Sequence, residues 1–357
     1  MPDIFLGSSP HTGTSASTSK IMGAVLAALA PAAVFGVVIY GLPALWVILA
    51  ATAASTGGEA LFRLVLGREN RSGDLSAVVT GLLLALSLPP GTPPWMAALG
   101  AFFAVVVAKE FFGGIGANVF NPALSGRAFL LMSFPAAITS WTVPGRAWGA
   151  ADAVSGATPL AIAKMGSGTA GVAANFFETG LSSGETYPDM IKTLFTGNHG
   201  GSIGESSILL ILAGCFYLLV TKVIDWRAPL AMMVSAAVLS FVLGIDPLFS
   251  VLSGGLCFGA VFMATDYTTS PLTAKGKFIF GAGAGIVILL IRKWGGYPEG
   301  VTYGILIMNA ITPFLNRLIQ KKYGFVKRRK PAASGAQPSS MAGASGTARA
   351  AGKGAAK

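Results

Sequence analysis

Residues 21–66 read IMGAVLAALAPAAVFGVVIYGLPALWVILAATAASTGGEALFRLVL, two apolar runs parted only by Gly41-Leu42-Pro43, with no charge between Lys20 and Glu59. Each run is close to the roughly 20 apolar residues that cross a hydrocarbon core. Two transmembrane helices are predicted here, at 21–40 and 44–66, and the pattern recurs along the chain. Runs near 75–88, 95–112 and 122–134 complete a first set of five, and runs near 207–223, 229–244, 249–264, 278–292 and 301–319 form a second. The expected fold is an all-α polytopic membrane protein of about ten transmembrane helices. Composition agrees: 11% of residues are charged, against roughly 25% in soluble domains, and the mean hydropathy is +0.68.

The formal charge of +11 does not imply a nucleic-acid partner, because residues 321–357 hold nine Lys/Arg and no Asp/Glu. That tail is Ala, Gly, Ser, Pro and basic residues, with too little apolar surface to offset ordering entropy, and disorder is expected there. Its charge suits anionic lipid at a membrane surface. Two cysteines supply neither a disulfide framework nor the four thiolates of an iron–sulfur cluster, and Cys215 and Cys257 are read as small apolar residues. Two histidines argue against a His-rich metal centre. The Ser/Thr-rich stretch Ser8–Ser19 has no basic cluster and no cleavage pattern after the first run, so an uncleaved first helix is expected.

Orientation follows from the basic residues. Placing the tail inside puts Lys20, Arg63, Arg68, Arg71, Lys109, Lys222, Arg227, Lys275, Lys277 and the ten Lys/Arg from Arg317 onward on the cytoplasmic side, leaving only six of 25 elsewhere. Both termini are therefore expected in the cytoplasm. The long hydrophilic connection 135–206, reached after five crossings, is expected on the outer, periplasmic side. The expected segments are 1–20 cytoplasmic, 21–134 first five-helix repeat, 135–206 outer loop, 207–320 second five-helix repeat and 321–357 tail.

Five crossings per half give the halves opposite orientation, as in inverted-repeat transporters. Val78-Val79-Thr80-Gly81 is matched by Val251-Leu252-Ser253-Gly254, and Gly113-Gly114 with Asn118 and Asn121-Pro122 by Gly295-Gly296 with Asn309 and Thr312-Pro313. Asn and Pro at a helix start in lipid need partners or a cavity. These segments are read as broken helices meeting near the midplane, with ordinary capping as the alternative. Gly255 with Gly259 and Gly281 with Gly285 have the spacing of close helix packing.

Within the outer loop lies Asp152-Ala-Val-Ser155-Gly156-Ala157-Thr158-Pro159-Leu160. Pro159 biases Thr158 toward an extended conformation, exposing a hydroxyl among small neighbours. On physics alone this is a flexible turn. Intramembrane charges are functional candidates by default: Arg127, one turn after Asn121-Pro122, could reach a phosphate or snorkel to the interface, and Asp266 could bind a coupling ion. Lys109-Glu110 reads as a self-neutralising pair. The glycine cluster Gly197–Gly204 reads as an entry loop with Ser202 or Ser206 capping the next helix, or as a phosphate nest.

Taken together, Ser8-Ser9-Pro10-His11, Leu82–Pro90, Gly113–Ala123, Ser155–Leu160, Thr265-Asp266 and Gly295–Gly300 occur in an order that resembles the D component of Rnf-type electron transport complexes. The resemblance extends more distantly to the B component of the sodium-translocating NADH:quinone reductase, from about residue 4 to 320. It implies a urea-transporter-like inverted repeat and FMN esterified through its phosphate to Thr158 by a separate flavin transferase, with Asp152, Ser155, Gly156 and Ala157 shaping the modification motif. It further implies riboflavin or another noncovalent flavin, with Asn118, Asn121 and Arg127 as candidate contacts and Asp266, Asn309 and Thr312 as candidates along an ion passage. Here Tyr267 follows Asp266 where the family more often has proline.

The implied function is that of a membrane component of a ferredoxin:NAD+ type oxidoreductase coupled to Na+ or H+ movement, in a bacterial or archaeal cytoplasmic membrane. Implied partners are subunits handling NADH and iron–sulfur clusters, a second covalent-FMN subunit, small membrane subunits and the flavin transferase. The competing reading from the fold alone is a small-solute channel.

Overall fold

The computed structural model describes residues 17–68, 72–142, 155–156, 158–165, 187–197, 199–296 and 299–319. Asp152, Ala157, Ser8–His11 and the tail from 321 lie outside the described residues.

Ser17 accepts a hydrogen bond from Lys20 N and starts α1 (Thr18–Tyr40). Gly41, at φ +71°, lets the chain turn straight into α2 (Leu42–Val65), with Pro43 in its first turn. Next come α3 (Ser76–Leu86), α4 (Pro94–Val106) with a 3-10 turn at Glu110–Phe112, α5 (Pro122–Ser133) and the short α6 (Pro135–Ile138). The connection that follows holds the two-residue strands β1 (Trp141–Thr142) and β2 (Ser155–Gly156), then α7 (Pro159–Met165) and α8 (Tyr187–Thr196). The last part contains α9 (Ile208–Val220), α10 (Arg227–Val242), α11 (Pro247–Leu252), α12 (Leu256–Phe258), α13 (Ala274–Trp294) and α14 (Val301–Ile319).

The fold is that of a helical membrane protein. Among the described residues four helices are long and apolar enough to cross a membrane: Thr18–Tyr40, Leu42–Val65, Pro94–Phe112 and Ala274–Trp294. Apolar side chains such as Val34, Trp46, Phe216, Val238 and Phe241 face outward, as a bilayer solvent requires. The shared core runs through Leu29, Leu84, Leu124, Phe258, Phe280 and Ile288.

The run near 249–264 departs from a single helix. After α11, Ser253 is extended and Gly254 takes φ +64°. The backbone then resumes as α12 and a π turn, Gly259–Met263. Its expected counterpart Val78–Gly81 is interior to the unbroken α3, so the reading of both segments as broken helices is corrected. The second pairing differs too. Asn121 begins a helix, whereas Asn309 and Thr312-Pro313 lie inside the continuous α14. Thr312 Oγ1 donates to Met308 O or Thr269 O, both at 3.0 Å.

Residues 201–208 are buried throughout. Ile203 N donates to Leu88 O at 3.1 Å and Gly204 N to Leu86 O at 2.7 Å, so this loop caps the carbonyl end of α3. A Cβ on Gly204 would stand 2.7 Å from Leu86 Cβ. The amides of Ile203 and Gly204 are thus engaged with α3 rather than turned to a ligand. Helix α9 starts at Ser207 with no side-chain cap, so neither Ser202 nor Ser206 caps it.

The GxxxG expectation holds for α10 against α13, where a Cβ on Gly281 would stand 2.3 Å from Ala228 O and one on Gly285 2.4 Å from Met232 O. At Gly255 the close neighbours are instead carboxylates.

Candidate functional site

Asn121 accepts from Leu124 N at 3.2 Å, with Pro122 in the first turn, and so aims α5. One turn on, Arg127 is 4% exposed and forks onto Glu299, Nη1 at 3.3 Å from Oε1 and Nη2 bonded to Oε2. Its Nη1 also lies 3.9 Å from Glu205 Oε1. The snorkelling alternative for Arg127 is corrected: a buried cation needs buried counter-charge, and two loops deliver it. A Cβ on Gly255 would stand 2.3 Å from Glu205 Oε1 and 2.7 Å from Glu299 Oε1, so the pair is sealed where only glycine fits. Burial, reinforced by the Glu299 carboxylate and opposed by Arg127, pushes the Glu205 carboxyl up to about 8. Arg292 on α13 donates to Ser250 O at 2.5 Å and Ser253 O at 3.0 Å, holding the break after α11.

Thr158 opens onto this cluster. Strand pairing sets Trp141 opposite Gly156 and Thr142 opposite Ser155, which brings Trp141 and Thr158 to one small pocket of about 20 Å³ with His199, Glu205 and Glu299. Thr158 is buried rather than exposed, and its Oγ1 accepts from Ala161 N at 3.1 Å as the cap of α7. The expectation of an exposed hydroxyl is therefore corrected. His199 Nε2 is buried without a hydrogen-bond partner among the described residues, and burial lowers the imidazole below its ordinary range. The Thr158 oxygen serves only as an acceptor in that contact, and an ester oxygen can still accept. The position thus fits a phosphoester, but the pocket has no room for an isoalloxazine ring, which would lie outside it.

A second, larger cavity of about 330 Å³ is walled by Met22, Val25, Leu83 and Phe262 and by the polar side chains of Lys109, Asn118, Asn121 and Asp266. Asn121 Nδ2 donates to Met263 O at 3.3 Å, at the end of the π turn. Asn118 Nδ2 donates to Phe120 O at 3.1 Å and Thr268 Oγ1 at 2.9 Å. Asp266 accepts from Thr268 N at 3.3 Å and Thr269 Oγ1 at 3.2 Å, an arrangement that closes its own turn. A tricyclic aromatic ligand fits this volume and this mixture of apolar wall and convergent polar groups.

Next to the cavity lies a buried group of charges, none more than 5% exposed. Lys109 Nζ bonds Glu59 Oε1 at 3.2 Å, Arg63 Nη2 bonds Glu110 Oε1 at 3.0 Å, and Arg63 Nε lies 3.4 Å from Glu59. Lys109 and Glu110 therefore do not neutralise each other. Each pairs with α2, which corrects the local reading.

Of the residues singled out by sequence, Asn118, Asn121 and Asp266 meet at the cavity, Thr312 touches Thr269 behind it, and Thr158 lines the other pocket beside Glu205 and Glu299, the acids that hold Arg127. Asn309 is buried, with both amide atoms unpartnered among the described residues, and lines neither site. Ser155 and Gly156 act through β pairing. Glu205, Glu299, His199 and Lys109 carry no site role in the sequence reading; the available signal was Arg127 itself, an intramembrane cation that had to find acids.

The sequence profile of the NQR2, RnfD, RnfE family matches residues 5–324. The D component of the proton-translocating ferredoxin:NAD(+) oxidoreductase complex of Clostridium ljungdahlii is 43% identical over 327 residues, covering 89% of this chain and 96% of that protein. The D component of the Na(+)-translocating ferredoxin:NAD(+) oxidoreductase complex of Acetobacterium woodii is 40% identical, covering 92% and 98%. The D component of the ion-translocating oxidoreductase complex of Stutzerimonas stutzeri is 38% identical, covering 88% and 94%. A match this continuous leaves no part of the helical core outside it, and the chain belongs to the NQR2, RnfD, RnfE family.

Proposed function

We propose that this chain is a membrane component of a multi-subunit ferredoxin:NAD+ type oxidoreductase that couples electron transfer to Na+ or H+ movement. It carries FMN esterified to Thr158 and a noncovalent flavin, riboflavin or a relative of it, in the 330 Å³ cavity. The flavins supply reversible acceptance of electrons. The chain supplies the anchor oxygen of Thr158, the buried charge around Arg127, and the cavity wall with Asn118, Asn121 and Asp266. Asp152, Ser155, Gly156 and Ala157 form the motif read by a flavin transferase. Asp266, Asn309 and Thr312 mark the ion passage.

The chain crosses a bacterial or archaeal cytoplasmic membrane ten times as an inverted 5+5, urea-transporter-like repeat, with both termini inside and the Thr158 loop outside. Partners are a second covalent-FMN subunit, subunits handling NADH and iron–sulfur clusters, and small membrane subunits.

The observation that carries this reading is Thr158: in a family whose named relatives are redox subunits, it lines one small pocket with Glu205 and Glu299, the acids paired with Arg127, and its oxygen accepts from Ala161 N. The test is flavin fluorescence of the denatured polypeptide, with peptide mass analysis, for wild type and Thr158→Ala co-expressed with the transferase. Fluorescence on the Thr158 peptide that vanishes in the variant is expected. No bound flavin beside a working control substrate would remove the redox reading and leave the mostly apolar cavity to a small neutral solute.

A further inference from the structure

Among the described residues Lys109 is the one basic side chain on the wall of the large cavity, and it is also the inner end of a hydrogen-bonded chain. Its Nζ donates to Ser76 Oγ at 2.6 Å, and Ser76 Oγ donates in turn to Asp74 Oδ1 at 2.6 Å. Lys109 and Ser76 are buried, at 2% and 6% exposed, while Asp74 is half-buried at the end of its 3-10 turn and so meets solvent. Between Asp74 and Ser76 the backbone is forced. Leu75 takes φ +63°, a region that a bulky residue rarely enters, and such outliers persist where the surroundings demand them. Here the turn folds the Asp74 carboxylate back onto both Ser76 N, at 2.8 Å, and Ser76 Oγ. Loop and helix are further tied by Ser19 Oγ donating to Gly73 O at 2.9 Å.

We infer that Asp74, Ser76 and Lys109 form a proton relay from solvent to the ligand of the large cavity, with Lys109 as the terminal proton donor. This rests on the reading that the cavity holds a noncovalent flavin. With a flavin bound in the cavity and reduced by two electrons, from a flavin donor or from two successive one-electron iron–sulfur transfers, Lys109 would break one Nζ–H bond and give that proton to it. The Asp74 carboxylate takes a proton from solvent and passes it to Ser76 Oγ as the Ser76 hydroxyl proton moves to the Lys109 amine. One proton enters for two electrons, and every group of the relay ends as it began. The charges around Lys109 suit the task. Glu59 at 3.2 Å holds the ammonium in place, Arg63 and Glu110 balance each other behind it, and Asp266 lines the same cavity.

Removing Lys109 would strand Glu59 in the core, so the test acts on the middle and outer members. The full chain, purified without flavin transferase so that only noncovalent flavin is present, is mixed with reduced methyl viologen. Flavin bleaching reports electrons and an indicator dye reports protons. In wild type, proton uptake keeps pace with bleaching. In Ser76→Ala and Asp74→Asn, flavin content is retained while uptake falls behind by about 10²-fold, the low end of what a positioned acid contributes, and Ser76→Thr restores it. A purely structural Ser76 would change thermal stability and leave uptake in step; that result, in a flavin-loaded Ser76→Ala, would overturn the relay alone. Absence of extractable flavin from wild type would overturn the cavity reading and the relay together.

Discussion

Glu205 shows how far one buried acid reaches. Its carboxyl is moved from an ordinary 4.5 to about 8 by burial and by Glu299, with Arg127 pulling the other way and Arg292 close enough to feel the same charges. A folded value above the unfolded one means that folding takes up a proton, so this stabilisation is complete below 4.5 and is lost as pH rises through about 8. Melting of the purified protein is expected to weaken between roughly pH 5 and pH 9, and Glu205→Gln, which cannot ionise, is expected to flatten that dependence. An unchanged pH profile in the variant would place the titration elsewhere. At this scale the sequence was half legible. Arg127 stood out because an arginine amid apolar residues needs an explanation. Glu205 and Glu299 looked like ordinary loop acids, because what makes them special is a shared cation that brings them together across 94 positions, and sequence carries no distance. Thr158 was legible as a position and misread as a surface, since a proline that extends the backbone says nothing about what later packs over it.

At the level of elements, helix ends followed the apolar runs within a few residues, because bilayer thickness and capping chemistry are local constraints. Breaks and insertions are not local. The run 249–264 looked continuous, yet Ser253-Gly254 and the π turn interrupt it, and Arg292 holds the first break through the carbonyls of Ser250 and Ser253. The reverse happened at Asn309-Ala-Ile-Thr312-Pro313, where the proline stays inside α14. Glycines sort by environment in the same way. A Cβ on Gly285 would stand 2.2 Å from Ser235 Oγ and 2.4 Å from Met232 O, whereas one on Gly57 would meet nothing within 4 Å. Gly285→Val is expected to push α10 from α13 and lower stability by about 1–3 kcal/mol or more. Gly57→Ala is expected to be neutral or to stabilise by about 0.5–1 kcal/mol through lower chain entropy. Thermal unfolding of the two variants in detergent checks both; equal melting temperatures would mean that the α10–α13 approach is not tight in the folded protein.

For the whole molecule, orientation is the property that single contacts leave open and that the distribution of Lys and Arg addresses. Ser140 and Lys222 are both exposed and fall on opposite sides in the proposed topology. With Cys215 and Cys257 replaced, Ser140→Cys is expected to react with an impermeant maleimide on intact cells, and Lys222→Cys only after permeabilisation. Labelling of both from outside would reverse or break the five-and-five arrangement. The buried charges of α2 bear on how such a molecule is made. Released alone into lipid, Glu59 and Arg63 would each cost up to about 2.5–3.5 kcal/mol at depth, softened only by their own spacing of one turn. Their remaining partners, Lys109 and Glu110, emerge from the ribosome some 50 residues later. At roughly 5–20 residues per second, α2 waits seconds for α4, and the two helices leave the insertion machinery best as a matched couple. A substitution at Lys109 would on this account be felt first as a fault of biogenesis, in a nascent chain, before any finished complex exists to be tested.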